Sequence, residues 1–156
     1  MCGICGYIGP KKLEEDQLWK MNNTMYHRGP DDGGVWQYNN RGVEIGLAQR
    51  RLSILDLSAL GHQPMLSEDG RYVVVYNGEI YNFKEIRRTL ERQGYHFRSN
   101  CDTEVILYAY AEWGSDMFTR FNGMFAIALY DKEENRLILA RDRIGKKPLY
   151  YYAEQG

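Results

Sequence analysis

Five stretches of this 156-residue chain carry residue types that could do chemistry: Cys2, Arg51, Asn77-Gly78-Glu79, Asp102 and the charge run 140–148. If Met1 is removed, Cys2 bears both a thiol and a free α-amine. Such an amine has a pKa of about 7.7–8.0, so a useful fraction is neutral near pH 7. A neutral amine beside a thiol is a built-in general base for a nucleophile. Gly3 and Gly6 leave room around that sulfur. The plainer reading of Cys2 is a small apolar residue on a buried first strand.

Arg51 follows a strand and offers a planar fork suited to gripping a carboxylate at two points, or else is an exposed edge-strand charge. Asn77-Gly78 reads as a tight hairpin turn by residue type. The same pair can also aim a side-chain amide and a glycine N–H at one developing oxyanion. Glu79 and Asp102 are carboxylates that could hold a ligand ammonium, although Asp102 also precedes a helix and could cap it. The run Ala140-Arg141-Asp142-Arg143-Ile144-Gly145-Lys146-Lys147-Pro148 reads, by composition, as a solvated turn.

The elements that must position these groups follow from periodicity. Residues 2–8 read as a buried strand ending at Gly9-Pro10, and Leu18, Met21 and Met25 predict a helix from about Glu14 to Tyr26. The loop His27-Arg28-Gly29-Pro30-Asp31-Asp32-Gly33-Gly34 follows. Val35–Tyr38 and Val43–Gln49 flank Asn39-Asn40-Arg41-Gly42 as a hairpin, Arg51–Asp56 continues as strand, and Leu57–Pro64 is loop. Tyr72-Val73-Val74-Val75-Tyr76 is the strongest strand and ends at Asn77. Asn82 with Glu85 forms a capping-box pattern for a helix carrying Phe83, Ile86 and Leu90, stopped at Gly94. A second helix runs from Thr103 to Trp113 and ends at Gly114. Phe125–Tyr130, Leu137–Ala140 and a short Leu149–Tyr152 complete the strands. Helices clustered between runs of strands predict an α+β fold of stacked sheets with helices outside. The end of the chain just after a strand suggests a fragment of something longer.

Composition excludes several classes. The net charge of −1 gives no electrostatic grip on nucleic acid or an anionic membrane. The longest apolar run, Met124–Tyr130, is too short to span a bilayer, and the lack of a signal segment points to the cytoplasm. Three cysteines, Cys2, Cys5 and Cys101, argue against a disulfide framework. The Cys2–Cys5 spacing lacks partners for zinc among Cys101, His27, His62 and His96, and no helix follows it as a redox motif requires.

Read together, the segments MCGICG (1–6), HRGPDD (27–32), RLSILD (51–56), NGEIYN (77–82), DTEVIL (102–107), FNGMFAIALYD (121–131) and RDRIGKKPLYY (141–151) are distinctive. The chain resembles the glutaminase domain of class II glutamine amidotransferases, within them the glutamine-hydrolysing asparagine synthetase branch, over residues 1–156. The resemblance implies a four-layer αββα N-terminal nucleophile hydrolase sandwich of two mostly antiparallel sheets, here short of its last strands. It implies Cys2 as nucleophile with its own α-amine as base, and Asn77 and Gly78 as the oxyanion hole. It places the glutamine α-carboxylate on Arg51 and the α-ammonium among the Ile54 backbone, Glu79 and Asp102, with Asn77 and Gly78 bordering the substrate. Arg28 and the loop 27–32 would support the site from behind. No cofactor or metal is implied in this domain. ATP and Mg²⁺ would belong to a C-terminal synthetase domain, the partner in the parent protein, whose pyrophosphate loop does not occur here. A homodimer is compatible with the resemblance. Two other readings remain: a catalytically silent regulatory or scaffold domain, and the glutaminase of a different amidotransferase.

Overall fold

The computed structural model describes residues 2–52 and 61–154. Its first sheet has strand order β1-β3-β2, from β1 (Gly3–Gly9), β2 (Asp32–Asn40) and β3 (Val43–Arg51). Its second has order β4-β5-β6-β7, from β4 (Met65–Leu66), β5 (Tyr72–Ile80), β6 (Gly123–Asp131) and β7 (Arg136–Arg141). Every ladder in both sheets is antiparallel. The β2–β3 hairpin pairs Asn40 with Val43, leaving the two-residue turn Arg41-Gly42 at φ 52° and 88°. Positive φ at both positions matches the twist of the flanking strands, which is why glycine follows arginine there.

Strand alternation divides the core in two. Val73 and Val75 of β5 face Ile45 and Leu47 of β3, with Ala128 and Tyr130 of β6, in a buried layer between the sheets. Tyr72, Val74 and Tyr76 point the other way, onto helices α2 (Phe83–Arg92) and α3 (Asp102–Trp113). Residues 102–110 of α3 are all buried, because α3 lies between the sheet and α2. Helix α1 (Glu15–Asn23) covers the outer face of the first sheet through the fully buried Leu18, against β2 and β3. The layers are therefore helix, sheet, sheet and helices, an α+β sandwich. A one-turn 3₁₀ segment and the short helix α4 (Met117–Arg120) lead from α3 into β6.

Several expectations need correction. Helix α1 stops at Asn23, and Tyr26–Arg28 forms a separate 3₁₀ turn. Asn77-Gly78 is not a turn: β5 runs on to Ile80, with Asn77 paired to Ala126 and Gly78 to Phe125. Asn82 does precede α2, yet its side chain does not cap it. Its Nδ2 donates to the Arg120 carbonyl and its Oδ1 accepts from the Asn122 N–H, each at 2.9 Å, tying α2 to the start of β6. The residue at the N-cap of α3 is Cys101, and Asp102 turns its carboxylate away from the helix end. Residues 149–152 form no strand. Strand β3 ends at Arg51, and residues 53–60 of the expected strand and loop lie outside the described residues.

The charge run is likewise no solvated turn at its centre. Asp142 is buried and accepts N–H bonds from Phe125, Lys146 and Lys147 at 2.7–3.1 Å. Arg143 donates to the carbonyls of Phe118, Thr119 and Phe121, closing the end of α4.

Candidate active site

Cys2 stands just before β1, and its thiol rests on the residue just after β3. Its Sγ accepts from the Leu52 N–H at 3.4 Å and reaches the Leu52 carbonyl at 3.8 Å. Arg28 Nε donates to the Cys2 carbonyl at 3.1 Å, so the loop 27–32 fixes the backbone at Cys2. Within that loop Asp32 pairs with His62 Nδ1 at 2.8 Å. Cys5 is unsuited to the same role, because burial pushes its thiol up to about 11 and disfavours the thiolate.

The Cys2 thiol opens onto a cleft whose walls come from four parts of the chain. Arg51 and Leu52 close one side, Gly61 and Gln63 another, Tyr76 and Gly78 of β5 form the floor, and Cys101, Asp102 and Thr103 supply the start of α3. Arg51 is nearly buried, its guanidinium lying against Gly61.

The hydrogen-bond phase of β5 decides what Gly78 presents. Phe125, its partner in β6, spends both backbone groups on Asp142: its carbonyl accepts from the Asp142 N–H at 2.8 Å, and its N–H donates to the carboxylate. Antiparallel pairs alternate between bonded and non-bonded, so Gly78 is non-bonded to β6 and its N–H points the other way. The N–H groups two residues before and after it share that direction and are taken. Tyr76 donates to Gln63 Oε1 at 2.7 Å, and Ile80 donates to Asp102 Oδ2 at 3.1 Å. Between them the Gly78 N–H faces the cleft. A side chain at 78 would put its Cβ 2.7 Å from the Phe125 Cα, so this close strand approach requires glycine.

Asp102 receives Tyr76 Oη at 2.8 Å as well as the Ile80 N–H. Burial raises its pKa above the ordinary carboxylate value; the two hydrogen bonds pull it back in part, and the field of Glu79 pushes it up again. A positive group entering the cleft would relieve that strain. Asn77 and Glu79 flank Gly78 in β5 without lining the cleft walls, and the Asn77 amide makes no side-chain hydrogen bond among the described residues. Ile54 lies outside the described residues.

The fold thus brings Cys2, Arg51, Gly78 and Asp102 to one cleft and sets Asn77 and Glu79 beside it. Reading the sequence missed Tyr76 and Gln63. Tyr76 looked like one more strand aromatic, and nothing in residue type marks Gln63, whose Nε2 donates to Thr103 Oγ1 at 3.1 Å. Among the described residues no group of three or more His, Cys, Asp or Glu is placed to hold a metal, and no helix is long and apolar enough to cross a membrane.

Comparison with known proteins finds relatives over nearly the whole chain. The profile of the glutamine amidotransferase domain family matches residues 1–156. The chain is 43% identical to asparagine synthetase [glutamine-hydrolyzing] 2 of Bacillus subtilis, over 97% of this chain and 20% of that protein. It is 38% identical to asparagine synthetase [glutamine-hydrolyzing] 3 of the same organism, over 99% of this chain and 25% of the relative. It is also 35% identical to Amidase chry2 of Gibberella zeae, over 99% of this chain and 24% of that protein. The chain therefore spans a quarter or less of these relatives. Among solved structures, glutamine phosphoribosylpyrophosphate amidotransferase of B. subtilis superposes with a TM-score of 0.66 at 16% identity, over 88% of this chain and 37% of that one. At that identity the likeness concerns the fold.

Proposed function

Since the chain belongs to the glutamine amidotransferase domain family, we propose that it hydrolyses the side-chain amide of glutamine to glutamate and ammonia, with Cys2 as nucleophile. The observation that carries this reading is the shared cleft of Cys2, Arg51 and Asp102 over an outward-facing Gly78 N–H. With Met1 removed, the Cys2 α-amine takes the thiol proton as sulfur attacks the amide carbon. The oxyanion accepts hydrogen bonds from the Gly78 N–H and the Asn77 amide. Collapse gives a thioester and expels ammonia, which takes up the proton from the α-amine. Water, activated by the same amine, then releases glutamate. Arg51 holds the substrate carboxylate, while Asp102 and Glu79, with the Ile54 backbone, hold its ammonium.

This domain needs no cofactor in that scheme. The ammonia passes to a further domain of a longer cytoplasmic protein, where ATP and Mg²⁺ drive amidation of aspartate. Similarity to two asparagine synthetases supports that acceptor. The similarity to an amidase supports a second reading, in which the same glutaminase serves another acceptor. The silent-scaffold reading is disfavoured by the presence of Cys2, Arg51, Asn77, Gly78 and Asp102 together.

The test is glutamate release by the full chain. Cys2→Ala should abolish it with the circular dichroism spectrum unchanged, and retained turnover would overturn the assignment. A cleavable tag placed before Cys2 should silence the enzyme until removed; equal rates before and after cleavage would exclude the α-amine as base.

A further inference from the structure

We infer that Tyr76 is a positioning residue for the substrate ammonium, acting through the carboxylate of Asp102. This rests on the reading of the cleft as a glutamine site and adds a residue to it.

Tyr76 is 3% exposed and its hydroxyl has one hydrogen-bond acceptor among the described residues, Asp102 Oδ2 at 2.8 Å. The same oxygen takes the Ile80 N–H at 3.1 Å. Two donors converge on Oδ2 and hold that oxygen in place, and no further side-chain hydrogen bond to this carboxylate occurs among the described residues. The backbone of Tyr76 is held just as firmly, its N–H by Gln63 Oε1 and its carbonyl by Gln49 Nε2 at 3.3 Å. The phenol is thus rigid on both sides, as a group that aims another must be.

Its effect is electrostatic as well as geometric. A donor to the ionised form favours that form, and Asp102 is a buried carboxylate with Glu79 acting against its ionisation. Tyr76 and the Ile80 N–H oppose this push. Among the described residues, the other charged or titratable groups lining the cleft are Arg51 at the end of β3, Cys2 before β1, and Cys101 beside Asp102 itself. Tyr76 does not compete as an acid, since burial, followed by the field of Asp102, drives its own pKa far up. It stays protonated throughout the working range and can donate to the ionised carboxylate there.

Removing the hydroxyl should raise the Asp102 pKa, so the carboxylate ionises only at higher pH. The experiment is glutamate release by full-chain Tyr76→Phe across pH, with circular dichroism as the folding control. The expected result is a KM for glutamine about tenfold higher near neutrality with kcat within about twofold. The acid limb of 1/KM for glutamine, from which the titration of the α-amine base cancels, should move up by about one pH unit. A merely structural tyrosine would lower the melting temperature without moving that limb. In an Asp102→Asn background, Tyr76→Phe should add nothing further to KM. If Tyr76→Phe does not fold, 3-fluorotyrosine at position 76 keeps the shape and donates more strongly, and the limb should move to lower pH. A folded variant with unchanged KM and an unmoved limb overturns the inference while leaving the glutaminase reading intact. Wild-type protein that releases no glutamate overturns both.

Discussion

Asp142 and Asp102 are equally buried, at 4% and 5% exposure, and each binds a backbone N–H of the second sheet. Around Asp142 three N–H groups fill the acceptor sites, from Phe125, Lys146 and Lys147. Burial pushes its pKa up, but those bonds outweigh it and the net shift is downward. Around Asp102 one N–H and one phenol share a single oxygen, burial dominates, and the net shift is upward. A carboxylate whose needs are met by backbone is scaffold. One left partly unmet beside a cleft, near a second carboxylate, is poised for a cation that the fold does not supply.

That contrast can be attacked from several sides. The largest effect should come from Asp142→Ala, which strands three donors, two of them buried, and should cost on the order of 3 kcal/mol of stability. Denaturant unfolding measures this, and turnover per folded molecule should survive; a silent substitution would remove Asp142 from the scaffold. Next, Asn77→Asp adds a carboxylate where negative charge develops and removes a donor. It should lower kcat by roughly 100-fold with little change in KM, since losing one such donor costs about that much. Wild-type turnover in this variant would place the oxyanion hole elsewhere. Arg51→Ala should raise KM by about 10- to 100-fold, as expected of a charged grip worth about 1.5–3 kcal/mol. Arg51→Lys should recover little of it, because an ammonium lacks the planar fork.

The smallest effect concerns pH and the two aspartates directly. A lowered carboxylate stabilises the fold above its ordinary range and loses that contribution as pH falls through the folded value. Asp142 therefore weakens the protein toward acid. A raised carboxylate does the reverse: Asp102 favours folding below about 3.9, and its contribution is lost as pH rises through its raised value. Asp102→Asn should thus match wild type in acid and melt slightly higher at neutral pH, while binding glutamine more weakly. A lower melting temperature at neutral pH would mean that Asp102 is structural.

The sequence already located most of this architecture, because the strands and helices follow strong apolar periods. Its errors concentrate where polar residues serve distant partners. Asn77-Gly78 has turn chemistry by type, yet β6 pairs with it and holds it extended. Asn82 and Asp102 have cap chemistry by type, yet Asn82 spends its amide on the residues before β6 and Asp102 spends its carboxylate on β5. Local propensity cannot anticipate a partner roughly 20 to 50 residues away. The site residues Cys2, Arg51, Gly78 and Asp102 were legible only through several motifs read together. Tyr76 was not legible at all, since a tyrosine ending a valine-rich strand looks like core.

Gly78 carries one more consequence, for how its chemistry can be interrogated. The approach of β6 forbids any side chain there, so a dead Gly78→Ala protein reports a collision and says nothing about a lost proton donor. Natural variation meets the same veto: the scaffold rejects every alternative amino acid before the reaction can judge it. The informative change is an atom in the main chain, an ester oxygen in place of the Gly78 nitrogen introduced by semisynthesis. Such a depsipeptide retains the shape of the strand and deletes one hydrogen.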